Sequence, residues 1–319
     1  MNLPELPSAP LDPALAGFLA QLAAMGAPPL EALPPAAGRQ IYRDMAAQTG
    51  LPPPPVGTVA ERLIEGPGGP LMLRIYTPQG AAATARPVLL YAHGGGWVIG
   101  DLETHDAVCR TLCHHSGAVV VAVDYRLAPE HPFPAAPDDV EAALRWVAVH
   151  AGEIGADPAR LGVAGDSAGA NLVAVAAQRV AGAVPLRAAG LIYPGVQHVG
   201  EASASYVEHG EGKFLTMSAM RWFNACYLGT ASGAAQDPDF ALLRSKRLHT
   251  LPPTWVATMG HDPLRDEGHA LALRLTQEGV ACTHRNYPGA IHACIHFTAV
   301  SPVGGQVMED LAEWLRGRL

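Results

Sequence analysis

GVAGDSAGANL, Gly162 to Leu172, sets a serine between two glycines where a strand-like run gives way to an alanine-rich, helix-like one. The pattern is G-x-S-x-G: Gly165, Asp166, Ser167, Ala168, Gly169. At a strand-to-helix junction it describes a sharp turn that lifts the serine hydroxyl out of the backbone, with flanking glycines removing Cβ atoms that would collide. Such a turn costs on the order of 1–3 kcal/mol and persists mainly where function uses it. A Gly-Ser-Gly turn can also be only a turn, so the rest of the chain has to decide.

Outward from this stretch, strand-like and helix-like segments alternate. VLLYAH, AVVVAVDY, RLGVAG, AAGLIYPG, TWVATMG and ACTHRNYP read as strands. PDDVEAALRWVAVH and ANLVAVAAQRV read as helices, and the chain closes on VMEDLAEWLRGRL, with Val307, Leu311, Trp314 and Leu315 on one face. The alternation predicts an α/β fold with a mainly parallel central sheet and helices on both faces. A hairpin is expected ahead of it, with strands near 58–65 and 71–77 around Gly66-Pro67-Gly68-Gly69. At the amino end, LDPALAGFLAQLAAM reads as a helix capped by Asp12, with Pro13 in its first position and Leu15, Phe18, Leu19 and Leu22 on one face. Pro-rich sequence follows, and LPPPPVG (51–57) is expected to be extended, so residues 1–50 read as an appendage to a domain spanning 51–319. About 195–232 carries helical pieces and no strand, the mark of an insertion above the sheet.

The chain has 319 residues, 49% hydrophobic, enough for a sizeable core, and a formal net charge of −8. No basic run offers a footprint for nucleic acid or an anionic membrane, so neither partner is expected. The first thirty residues hold no Lys or Arg, and no apolar run reaches membrane-spanning length; the expected location is cytoplasmic. Five cysteines fit reduced thiols better than a disulfide framework. Cys109 and Cys113 lie one helical turn apart near His105, His114 and His115, yet no second ligand pair follows at zinc-site spacing. His292 and His296 have the spacing of a zincin helix, but Ala293 stands where its glutamate belongs. No metal and no cofactor is expected, and association into a homo-oligomer is left open.

A serine hydroxyl is a weak nucleophile at neutral pH and needs a base, itself oriented by an acid. On a parallel sheet with this junction the chain order is serine, acid, histidine. HDPLRDEG follows the strand TWVATMG and offers Asp262, Asp266 and Glu267. Asp262 falls in the loop at the sheet edge that carries Ser167, whereas the other two fall on the next helix, so Asp262 is preferred; its competing role is a helix cap ahead of Pro263. PGAIHACIHF follows the last strand and places His292 nearest that loop, with His296 one turn further on as its competitor. HGGGWVIGD, His93 to Asp101, follows VLLYA and lets backbone amides approach a ligand, working with the amide after the serine, that of Ala168. His93 itself reads as a structural hydrogen-bonder.

HGGGW, DYRLAPEHPFPAA, GDSAG, HDPLRDEG and GAIHA occur in this order, and with them the chain resembles the hormone-sensitive lipase-like branch of bacterial α/β-hydrolase carboxylesterases over about residues 55–319. The resemblance implies an α/β-hydrolase fold with a helical cap built from the N-terminal helices and the 195–232 insertion. It implies Ser167 as nucleophile, Asp262 as acid, His292 as base, and oxyanion donors from Gly95, Gly96 and Ala168. The implied activity is hydrolysis of short- to medium-chain carboxylic esters through an acyl-enzyme, with a small-molecule ester as partner. Trp97 and Phe214 are the expected substrate-binding side chains. Arg126, Glu130 and His131 in the DYRLAPEHPFPAA stretch look like a supporting loop. Ala293-Cys294 stand where the branch often has Gly-Phe, a departure in the wall beside His292. A receptor-like binding module of the same branch lacks the histidine, and His292 argues against that reading.

Overall fold

The computed structural model describes residues 3–80 and 84–319. Eight strands form one sheet: β1 (Thr58–Gly66), β2 (Gly69–Thr77), β3 (Arg86–Ala92), β4 (Val119–Val123), β5 (Ala156–Asp166), β6 (Ala188–Ile192), β7 (Thr254–His261) and β8 (Cys282–Ile291). Their order is β1-β2-β4-β3-β5-β6-β7-β8. β1 and β2 form the expected hairpin, Gly66 pairing Gly69, and β2 joins β4 antiparallel. Every pairing from β4 across to β8 is parallel.

The parallel strands read as unbroken apolar runs because both faces are covered. Val88, Leu90 and Ala92 of β3 point to one core cluster, with Val140, Val173 and Leu271; Leu89 and Tyr91 point to the other, with Leu112, Leu311 and Leu315. The first cluster is supplied by α4 (Ala135–His150), α5 (Ala168–Arg179) and α8 (Arg265–Gln277), the second by α3 (Asp106–Ser116) and α9 (Val303–Arg316).

Four further helices lie outside this frame. α1 (Pro13–Ala24) begins as the sequence predicts, the Asp12 carboxylate accepting from the amides of Ala14 and Leu15, and Leu15 is buried against Ile291 and Phe297. α2 (Pro35–Thr49) falls where the sequence reads as Pro-rich linker. Pro35 occupies the first turn of the helix, where its missing N–H costs nothing, so the proline that signals a break instead starts a helix. The 195–232 interval contains α6 (Ala204–His209) and α7 (Met217–Leu228) and no strand. None of the described helices is long and apolar enough to cross a membrane.

Candidate active site

Ser167 sits between β5 and α5 with φ +53° and ψ −119°, a left-handed conformation that a residue with a Cβ adopts only when held. Its amide donates to the Ile192 carbonyl at 2.8 Å. Both glycines of the motif are there for close approach. A Cβ on Gly165 would lie 2.6 Å from the Gly169 backbone, and one on Gly169 would sit on the Ala92 carbonyl oxygen at the end of β3. Strain gathers around this point: the described non-glycine residues with positive φ are Trp97, Ser167, Tyr193 and Ala293. Each lies at or just past the carboxyl end of a parallel strand, where ligands bind in such sheets.

Three of the predicted side chains meet here. Ser167 Oγ is 3.0 Å from His292 Nε2, and His292 Nδ1 is 2.7 Å from Asp262 Oδ2. Asp262 is fully buried just past β7, and its other oxygen accepts from the Leu264 amide at 2.8 Å, so the local turn-capping role and the contact with His292 coexist on two oxygens. Tyr193 packs on the imidazole, ring centroids 4.5 Å apart. The competing residues turn elsewhere. His296 Nε2 lies 3.0 Å from the Tyr42 hydroxyl of α2. Asp266 accepts from the Ser205 amide, and Glu267 from the Val196 amide and the Tyr206 hydroxyl.

The glycine loop follows β3 and faces Ser167. Gly95 and Gly96 have φ +118° and +59°, and a Cβ on either would strike the Ile99 carbonyl or the Phe223 ring. Among the described residues the amides of Gly95, Gly96 and Ala168 donate to no other protein group. In front of them lies a cavity of about 310 Å³, lined mostly by apolar side chains from α2, α7 and the loops, with Ser167 and His292 in its wall. Phe214 lines it, packed on Phe297 at 4.9 Å, and Trp97 lines it while stacking on Tyr227 at 4.5 Å. Met220 and Phe223 line it as well, whereas Trp222 packs behind Phe223.

Known proteins resemble the chain in sequence and in overall fold. A family model described as alpha/beta hydrolase fold matches residues 89–296. The chain belongs to the α/β-hydrolase family. The hydrolase is 40% identical to esterase LipI of Mycobacterium tuberculosis over 83% of this chain and 82% of that one. It is 36% identical to an ethyl acetate hydrolase of Pseudomonas putida over 78% and 76%. Among solved structures it is similar to LAE6, an alpha/beta hydrolase enzyme from the metagenome of Lake Arreo, with TM-score 0.92, 40% identity and 96% and 98% of the two chains covered. A hyperthermophilic esterase from Pyrobaculum calidifontis matches with TM-score 0.91 and 37% identity, covering 97% and 99%. These relatives place the hydrolase in the hormone-sensitive lipase-like esterase branch.

Behind Ser167 the hydrolase holds a buried polar group that sequence reasoning passed over. Asp166 Oδ1 accepts from the Tyr91 hydroxyl at 2.7 Å and the Gly94 amide at 2.9 Å, with His105 Nε2 3.2 Å away. Burial pushes the Asp166 carboxyl up, but His105, with His296 and the Tyr91 hydroxyl, outweighs it and holds it well below the usual carboxylate range. Burial pushes His93 down to about 4 and His296 down to about 3, and neighbouring histidines add to both shifts. His105, Asp166 and His296 bring potential ligand atoms within 4.8 Å of one another. Yet His105 Nε2 is engaged by Asp166 and His296 Nε2 by Tyr42, so the cluster reads as a hydrogen-bonded network. His93 Nδ1 lies 2.8 Å from the Gly94 carbonyl oxygen and 3.2 Å from the Tyr125 hydroxyl, the structural role its position suggested. The only sequence signal for Asp166 was its place inside the serine motif; its partners are 75, 72 and 61 positions away.

Proposed function

We propose that this protein is a serine carboxylesterase that hydrolyses short- to medium-chain carboxylic esters through an acyl-enzyme. The observation that carries the reading is the continuous hydrogen-bonded line from Ser167 Oγ through His292 to Asp262, opening into an apolar cavity. Ser167 Oγ attacks the ester carbonyl carbon as His292 Nε2 takes its proton, and Asp262 holds the imidazole with Nδ1–H toward the carboxylate. The carbonyl oxygen, now negative, is met by the amides of Gly95, Gly96 and Ala168. Collapse breaks the bond to the alcohol, which leaves with the proton from His292. A water then gives a proton to His292 and its oxygen to the acyl carbon, releasing the acid and returning the proton to Ser167.

The preference for short and medium chains is supported by the cavity, whose 310 Å³ lies near the lower end of the about 300–1,000 Å³ typical of small-molecule sites. We read α1, α2 and the 195–232 segment as a cap, on the ground that α2 and α7 wall this cavity. The cytoplasmic placement is supported by five cysteines that all stand as thiols. The test is Ser167→Ala, which folds as the native chain does and loses nearly all turnover of a short acyl ester, with an organophosphate labelling Ser167 of the native protein. Full activity in that variant ends the reading.

A further inference from the structure

Asp166 is fixed between two parts of the site that come from distant sequence. On one side it is covalently next to Ser167. On the other, its Oδ1 accepts from the Gly94 amide at 2.9 Å, immediately ahead of the two glycines that line the cavity. The contact is close enough to dictate a residue type, because a Cβ on Gly94 would collide with the Asp166 carboxylate and would lie 2.9 Å from its backbone oxygen. The carboxylate is itself held from behind. Tyr91, on the same strand that leads into the glycine loop, donates at 2.7 Å, and His105 lies at 3.2 Å with its other nitrogen 2.8 Å from Thr104 Oγ1. Asp166 is only 2% exposed, where hydrogen bonds to a charged acceptor are strong and a lost partner is costly.

We propose that Asp166 is a positioning residue for the esterase reaction: by clamping the Gly94 amide to the serine turn, it sets the distance between the loop amides and the carbonyl oxygen of a substrate attached to Ser167. The proposal rests on the reading of Gly95, Gly96 and Ala168 as oxyanion donors. It differs from a purely structural role in what it predicts. The ester in its ground state does not need the hole fully formed, whereas the tetrahedral oxyanion does, so displacement of the loop falls on kcat and spares KM.

The test compares Asp166→Ala and Asp166→Asn with the native chain and with Ser167→Ala. Asp166→Ala is expected to lower kcat about 10²-fold, the scale of a lost or displaced oxyanion donor, with KM within about threefold of native. Asparagine keeps an acceptor oxygen and is expected to restore kcat to within about tenfold of native, the remainder being the lost charge. The phosphorus-31 resonance of a phosphonyl adduct on Ser167, whose oxygen occupies the hole, should shift in Asp166→Ala and return toward native in Asp166→Asn. If the alanine chain does not fold, Asp166→Ser, whose hydroxyl falls short of the Gly94 amide, carries the same expectations. Native-like kcat and an unmoved resonance in a folded alanine or serine variant overturn the proposal, as does an asparagine variant no better than alanine. If Ser167→Ala stays active, the esterase reading fails instead.

Discussion

A serine at φ +53° is held about 1–3 kcal/mol above a relaxed backbone, and at Ser167 the two neighbouring glycines let β3, β5 and α5 approach closely enough to hold it there. Gly169→Ala removes that permission, since its Cβ would press on the ends of β3. It is expected to cost about 3 kcal/mol or more, read as a lowered Tm, together with most of the activity, because the serine turn moves with the helix. The two aspartates of HDPLRDEG separate by the same kind of reasoning. Asp262 reaches His292 at 2.7 Å, so Asp262→Asn, which leaves the shape but mis-sets the imidazole, should lower kcat about 10³–10⁴-fold. Among the described residues the Asp266 carboxylate is held by Ser205 and Arg265, away from His292, and Asp266→Asn should lower the Tm with little effect on kcat. Kinetics of the two variants on one ester decide the assignment, and a reversed ranking would move the acid to Asp266.

The scale of single elements shows most clearly at α8, which begins three residues past Asp262 and carries Glu267 beneath α6. Burial pushes the Glu267 carboxyl up to about 8 from an ordinary 4.5, although the Tyr206 hydroxyl and Val196 amide pull the other way. Its folded pKa is raised, so between these values the folded chain holds a proton that the unfolded chain has released. That contribution to stability is full below about pH 4.5 and is lost as pH rises through about 8. Glu267→Gln keeps a neutral side chain that can accept from Val196, and it should abolish this loss. The difference in Tm between variant and native, followed from about pH 5 to about pH 9, should therefore grow in favour of the variant. The acid arm does not confuse the comparison: His93 and His296 have lowered values, lose their contribution as pH falls from 6.5 toward about 4 and 3, and do so alike in both chains. A Tm difference that is flat with pH would show that Glu267 is ionised in the folded state. In the sequence Glu267 was legible as a helical residue and a less favoured candidate acid, and its burial was not, because that depends on Tyr206, 61 positions away, folding over it. The strands, by contrast, were legible one by one, since VLLYA and VVVAV need only two covered faces to be what they are. α2 was hidden for a local reason, its prolines reading as a break when Pro35 in fact suits the first turn.

At the scale of the whole molecule, the meeting of Ser167, His292 and Asp262 was legible because such a fold fixes the order of these three residue types along the chain and their place at strand ends. The walls of the cavity were less so: Phe214 and Trp97 line it as expected, but Ile41, Tyr42 and Met45 come from the helix that the sequence concealed. That helix is tied to the glycine loop region, Arg39 donating to the Val98 carbonyl at 2.8 Å and pairing with Glu130. On the proposed reading, a substrate acyl chain meets a wall that these contacts tie to the main domain. Each methylene that finds apolar surface contributes about 0.8 kcal/mol, close to fourfold in kcat/KM, until the wall is reached and further length only clashes. A series of acyl esters should give kcat/KM that climbs over short chains and then breaks sharply. Phe214→Ala, which trims a side chain packed between the cavity and Phe297, should move the break to longer chains without lowering kcat for the shortest ester. Trp222→Ala should leave the break in place, because that ring stands behind Phe223. If the rate instead kept rising through long-chain emulsified triacylglycerols, the wall formed by α2 and α7 would have to open during turnover, and 310 Å³ would not be the volume that selects the substrate.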